Sequence, residues 1–203
     1  MIYYIDISKI GNFNKLYQKY YNLLESNELN NFSDILFERN KKLLFCSKIL
    51  QKYIISKERN IKYCDISIKK NKYGKPFFKN LEYNVSHDNN IVMMITNNLL
   101  PVGIDIICLD RVINKDIYNF FLSKNEINNL KKDSNQEFII WSLKEAYLKA
   151  IGIGLSFGMN RLEFDISIEN NIKFYLDGKI NIKWKFYFFR FKSNYIVSIC
   201  KKI

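Results

Sequence analysis

An unpaired carboxylate is costly to bury, yet Asp105 stands in the middle of an apolar run, VGIDIICLD at residues 102–110. Packing alone does not explain it, so a bound cation or a charged partner is expected there. Gly103 would let a phosphate or a neighbouring backbone approach closely. A hard ion such as Mg²⁺ needs few protein carboxylates, because waters and substrate phosphates complete its shell. A second acid comes from IIWSLKEAYLKAIGIGL, residues 139–155. At about 100° per residue, Ile139, Ile140, Leu143, Ala146, Tyr147, Ala150 and Ile151 share one helical arc. Trp141, Glu145, Leu148, Lys149 and Gly152 share the opposite arc. The plain reading of Glu145 and Lys149 is an exposed i,i+4 pair worth about a few tenths of a kcal/mol. The large apolar side chains beside them favour the wall of a pocket. NVSHDNNIV, residues 84–92, adds Ser86 and the sole histidine, His87, at the end of a strand-like run. A lone histidine is often only structural, but adjacent donors at a strand end suit a phosphate. A metal-binding acid, a second acid, a lysine one turn on and strand-end donors together are a set for phosphoryl transfer.

Helices and strands must bring these residues together. The pattern predicts a strand over 2–8, a helix over 12–24 and a long helix over 33–55, with Leu43, Leu50 and Ile54 on its apolar side. YCDISIK, LEYNVS, NIVMMIT and VGIDIICL read as strands parted by the turn signals YGKP and HDNN. Helices follow over 115–121, 124–131 and 136–152, and then the strand-like runs RLEFDISI, NIKFYL, IKWKFYFFR and YIVSICK. Grouped helices and strands point to an α+β fold with mostly antiparallel pairing.

The 203 residues suffice for one large or two small domains, and 48% hydrophobic content makes the chain globular. Only 7 Gly and 2 Pro leave no room for a flexible linker. A formal charge of +12 suits a polyanionic or acidic partner, although a codon bias toward Lys and Asn would give part of it without any partner. Cys46, Cys64, Cys108 and Cys200 form no metal or redox motif and read as buried thiols of a reducing compartment. With no leader-like start and no apolar run long enough to span a bilayer, a cytoplasmic protein without membrane contact is expected. A nucleic-acid binder would show basic and aromatic residues alternating on one strand face, as IKWKFYFFR partly does, but it leaves Asp105 and Glu145 unexplained.

VGIDI followed by WSLKEAYLKAIGIGL resembles the signature of the 4′-phosphopantetheinyl transferase superfamily, in particular its Sfp type. YGKPFF at 73–78, NVSHDNN at 84–90 and FFLSKNEI at 120–127 extend the resemblance in order. The resemblance implies two similar α+β halves, residues 1–100 and 101–203, related by a pseudo-twofold, with coenzyme A and Mg²⁺ between them. It implies that a serine of an acidic acyl or peptidyl carrier protein attacks the β-phosphate and releases 3′,5′-ADP, in a monomeric enzyme that takes no nucleic acid. Asp105 and Glu145 then match the metal ligands, Glu145 also a base, and Lys149 a contact to the phosphates. Lys75, Pro76, Ser86, His87 and Lys144 match the coenzyme side, and Glu126 a further acid near the site. Two departures stand out. Many members carry a third acid two residues after the first, where this chain has Ile107, so water replaces that ligand or the metal is held more weakly. The N-terminal basic residues expected at the 3′-phosphate are replaced by the neutral-to-acidic ESNELNNFSD, with Arg39 or Lys41 as later candidates.

Overall fold

A computed structural model describes residues 1–33, 35–131, 134–167 and 171–203. Asp34 of ESNELNNFSD and Ile168 of RLEFDISI lie outside the described residues. The first half runs β1 (Ile2–Asp6), α1 (Phe13–Tyr20), α2 (Ser26–Ser33), α3 (Glu38–Arg59), the two-residue strands β2 (Lys69–Lys70) and β3 (Pro76–Phe77), then β4 (Glu82–Asp88) and β5 (Ile91–Asn97). The second runs β6 (Val102–Cys108), α4 (Tyr118–Phe121), α5 (Lys124–Asn129), α6 (Gln136–Ile151), β7 (Leu162–Asp165), β8 (Lys173–Leu176), β9 (Lys179–Ile180), β10 (Trp184–Phe191) and β11 (Tyr195–Lys202). The fold is α+β, and every strand pair joined by backbone hydrogen bonds among the described residues is antiparallel.

Two sheets matter for the site, ordered β1-β5-β4 and β10-β11-β6. Each is drawn from one half of the chain. The outer face of the first packs on α3 through Val92, Met94, Phe45 and Ile55. The corresponding face of the second packs on α6 through Ile196, Cys200, Leu143 and Ala146. The inner faces meet each other, with Ile91, Met93 and Ile95 of β5 against Ile104, Ile106, Val197 and Ile199. The two sheets abut where β4 runs beside β6 in the same direction, and no backbone hydrogen bond crosses this seam among the described residues. Side chains cross it instead: the amides of Ile104, Ile106 and Cys108 donate to Asn84 Oδ1, Ser86 Oγ and Asp88 Oδ2 at 3.0, 3.4 and 2.7 Å.

Several local expectations are corrected. The long helix begins at Glu38, after a separate α2 and a break, because Phe37 lies in an extended conformation. YCDISIK yields a 3₁₀ turn at Tyr63–Asp65 and only the short β2, since Asp65 and Ile66 turn back on Lys62 and Tyr63 through their amides. Cys64 is exposed on that turn, while Cys46, Cys108 and Cys200 are buried as free thiols. No helix among the described residues is long and apolar enough to cross a membrane.

Candidate active site

Asp105 is placed by β6 and by what lies above it. A Cβ on Gly103 would stand 1.9 Å from the Ala146 carbonyl oxygen and 2.8 Å from the Ala150 nitrogen, so only glycine lets α6 lie this close on the strand. The helix is made of good helix formers, and Gly152 ends it in the left-handed region at φ +71°, its amide closing on the Leu148 carbonyl at 2.9 Å. Asp105, Glu145 and Lys149 come together as a result. Lys149 does not pair with Glu145 along the helix. Its Nζ donates to Asp105 Oδ1 at 2.5 Å and to Ser86 Oγ at 2.8 Å, and Ser86 Oγ donates to Asp105 Oδ1 at 2.8 Å.

Glu145 is half-buried, and its carboxyl titrates above the ordinary range. Burial is the main cause; the nearby Lys149 charge pulls it back, and the negative charge of Asp105 raises it further. His87, at the end of β4, is exposed at the surface, yet crowding on its packed side pushes its pKa below the usual value. Lys149 acts in the same direction, and Asp88 and Asp105 oppose it.

No cluster of three or more His, Cys, Asp or Glu among the described residues is gathered to hold a metal. Two carboxylates lie within electrostatic reach of each other here, and among the described residues Asp105 Oδ2 and the Glu145 carboxylate take no hydrogen bond. That donor set fits a hard ion that keeps water and phosphate oxygens in its shell, and it fits no ion demanding a closed protein cage. Ile107, on the same strand face as Asp105, is buried against Phe121 and Leu122 and offers no ligand.

A cleft of about 220 Å³ opens beside Lys149, lined by Tyr73, Lys75, Pro76, Asn84, Val85, Leu148 and Gly152 among others. Leu148 is thus a wall residue, whereas Trp141 packs edge-on against Phe121 with ring centroids 4.9 Å apart. Larger hollows elsewhere, such as one of about 360 Å³ bounded by Asn125, Glu163 and Asp165, gather no comparable set of groups.

Three expected residues are placed differently from the reading of the sequence. Lys144 does not fit a coenzyme contact: its side chain has no exposed surface, and Nζ donates to Glu126 Oε2 and the Phe121 carbonyl, both at 2.6 Å. Glu126 is likewise interior, its other oxygen accepting from the Phe164 amide at 2.8 Å. Lys75 borders the cleft, but its Nζ donates to the Ala150 carbonyl at 2.8 Å, capping the end of α6 where the helix dipole favours a cation. Asn71 completes that cap through the Gly152 carbonyl at 2.8 Å. Of the N-terminal candidates, Arg39 reaches the turn after His87, donating to the Asn89 carbonyl at 3.1 Å and to its side chain at 2.5 Å. Three residues escaped the sequence reading. Asn84, Asp88 and Arg111 belong to the seam, with Arg111 donating to Asp88 Oδ1. The signal for the first two was present: polar side chains at alternate positions, 84, 86 and 88, in a strand whose neighbours are apolar.

A family model described as 4′-phosphopantetheinyl transferase superfamily matches residues 101–200, and one described as 4′-phosphopantetheinyl transferase, N-terminal, matches residues 13–99. The L-aminoadipate-semialdehyde dehydrogenase-phosphopantetheinyl transferase of Rattus norvegicus is 24% identical over an alignment 204 positions long that covers 87% of this chain and 66% of that protein. The 4′-phosphopantetheinyl transferase gsp of Aneurinibacillus migulanus is 36% identical over 123 residues, 58% of this chain and 51% of that protein. The chain therefore spans from about half to just under two thirds of these relatives. Among solved structures, a holo-ACP-synthase from Plasmodium yoelii aligns with a TM-score of 0.39 at 20% identity, over 50% of this chain and 92% of that one.

Proposed function

The chain belongs to the 4′-phosphopantetheinyl transferase superfamily, and from that premise we propose that it transfers the 4′-phosphopantetheine group of coenzyme A to a serine of an acyl or peptidyl carrier protein. The observation that carries the reading is the convergence of Asp105, Glu145 and Lys149 beside a cleft at the seam. In the proposed reaction the serine oxygen bonds to the β-phosphorus, the bridge to the α-phosphate breaks, and 3′,5′-ADP departs. Glu145 takes the hydroxyl proton as general base. Lys149 holds the phosphates and stabilises charge as it develops. Asp105 and Glu145 would hold Mg²⁺, which when bound neutralises phosphate oxygens as a Lewis acid. His87 at the end of β4, with Arg39 of α3 reaching the turn that follows it, offers donor and positive groups beyond Ser86.

The reading includes a cytoplasmic monomer serving an acidic carrier, whose charge would complement the +12 of this chain. A nucleic-acid partner finds Lys185, Tyr187 and Phe189 exposed on one face of β10, but gives the site no task. The decisive experiment incubates the protein with coenzyme A, Mg²⁺ and several apo carrier proteins and weighs the carriers by mass spectrometry. A phosphopantetheine adduct on the carrier serine, dependent on Mg²⁺, is the expected result. Absence of the adduct across carriers of fatty-acid, polyketide and peptide assembly would sink the reading.

A further inference from the structure

We propose that Asn84, Ser86 and Asp88 are positioning residues: a ladder of side-chain acceptors that sets one half of the molecule on the other and, through Ser86, holds Asp105 and Lys149 in register for transfer. The need for it is physical. Strand β6 is hydrogen-bonded to β11 on one side only, so the amides of Ile104, Ile106 and Cys108 point away from its partner and are buried. Buried amides without acceptors are costly. No backbone carbonyl of β4 meets them, and the oxygens of Asn84, Ser86 and Asp88, which are 3%, 4% and 5% exposed, do so instead.

The rungs are not equivalent. Asp88 is held from several sides, accepting from Cys108 N at 2.7 Å, from Asn89 N at 2.8 Å and from Arg111. Asn84 accepts from Ile104 N at 3.0 Å. Ser86 makes the longest rung, 3.4 Å, because its oxygen also accepts from Lys149 and its hydrogen goes to Asp105. The outer rungs fix the strands, and the middle one turns that fixed spacing into the position of a carboxylate and an ammonium. This departs from the resemblance, which put Ser86 on the coenzyme side: the hydroxyl points inward and its hydrogen goes to Asp105.

The catalytic part of the inference rests on the transferase reading, and its test separates the two. Wild type, Ser86→Ala, Asn84→Ala and Asp88→Asn are compared in steady-state transfer, in calorimetry with coenzyme A and 3′-dephospho-coenzyme A, and in amide exchange at Ile104, Ile106 and Cys108. Ser86→Ala should lower kcat by about tenfold or more while KM for coenzyme A moves by less than about threefold, the split expected when geometry is lost and ground-state binding is kept. Its ratio of affinities for the two ligands should equal that of wild type. Asn84→Ala and Asp88→Asn should lower kcat in the same manner and speed exchange at their own partner amides. Ser86→Thr, which keeps the hydroxyl, should recover kcat to within about fivefold, and it carries the comparison if Ser86→Ala does not fold. A collapsed affinity ratio in Ser86→Ala would make the residue a phosphate ligand and overturn the inference. Unchanged kcat in the folded variants would do the same. If wild type modifies no carrier, the transferase reading fails on its own, and the exchange measurements, which need neither coenzyme nor carrier, still decide the ladder.

Discussion

Lys149 had a carboxylate one turn back on its own helix and reaches across to Asp105 instead, and this choice separates a site from a surface pair. A surface pair would make replacement of Glu145 and Lys149 nearly silent. The geometry leads us to expect Glu145→Gln and Lys149→Ala each to lower turnover by about two orders of magnitude or more, with little change in thermal stability. Asp105→Ala should remove most activity and remain folded, because a costly buried charge leaves with it; near-normal turnover of that variant at limiting Mg²⁺ would count against the assignment. His87 gives a direct electrostatic probe, since it is the sole histidine and its NMR titration is unambiguous. Its pKa should lie below 6.5 and rise toward that value in Lys149→Ala. A group whose folded pKa is depressed takes up more protons unfolded, so its contribution to stability is present above about pH 6.5 and is lost as the pH falls through the folded pKa. An unshifted resonance in Lys149→Ala would place the ammonium away from the imidazole. What residue types and spacing conveyed was which groups converge: an acid in an apolar strand, and an acid and a lysine one turn apart. Where they failed was Lys144. A lysine next to Glu145 in the matched motif reads as available, and nothing in the periodicity shows that Glu126, on another helix, buries it in an ion pair.

At the scale of elements, the approach of α6 to β6 decides whether those residues meet. The Gly103 contact is with backbone atoms of α6, which cannot rotate away as a side chain can. Gly103→Ala must therefore lift the helix, at a cost of about 1–3 kcal/mol or more, and it should lower turnover along with the unfolding temperature because Glu145 and Lys149 travel with the helix while Asp105 stays. A Gly103→Ala protein with wild-type stability and turnover would show that the helix does not lie where the structure has it. The helix, the strands around it and the antiparallel pairing were legible from periodicity and β-branched runs. The break before Glu38 was not, because the leucine spacing continues across it at Leu36, a residue that is 92% exposed. YCDISIK was misread for a related reason: its alternation is that of a strand, but local hydrogen bonds at Tyr63–Asp65 bend it into a turn. Nor does periodicity reveal that the hairpin carrying Lys75 caps the end of α6, since that contact joins residues 75 apart in the chain.

Across the whole molecule, the apolar material falls into one core under α3, one under α6 and one between the sheets. The third belongs to neither half. It needs Ile91, Met93 and Ile95 from the first and Ile104, Ile106, Val197 and Ile199 from the second. Each such side chain contributes about 1.5–3 kcal/mol when buried. A domain is stable by only about 5–15 kcal/mol in total. Separated halves would expose this core to water, and β6 would lose the acceptors of its outward amides, which β4 supplies. We therefore propose that the halves 1–100 and 101–203 implied by the resemblance are not independent folding units. We expect each half, expressed alone, to lack a cooperative thermal transition, and an equimolar mixture to recover one together with tryptophan fluorescence like that of the intact chain. The measurement is circular dichroism at the two fragment concentrations and in the mixture. A sharp transition in either fragment alone, close to that of the full chain, would mean that the shared core and the side-chain ladder add little to folding, and the rigidity attributed to the seam would have to come from within the halves.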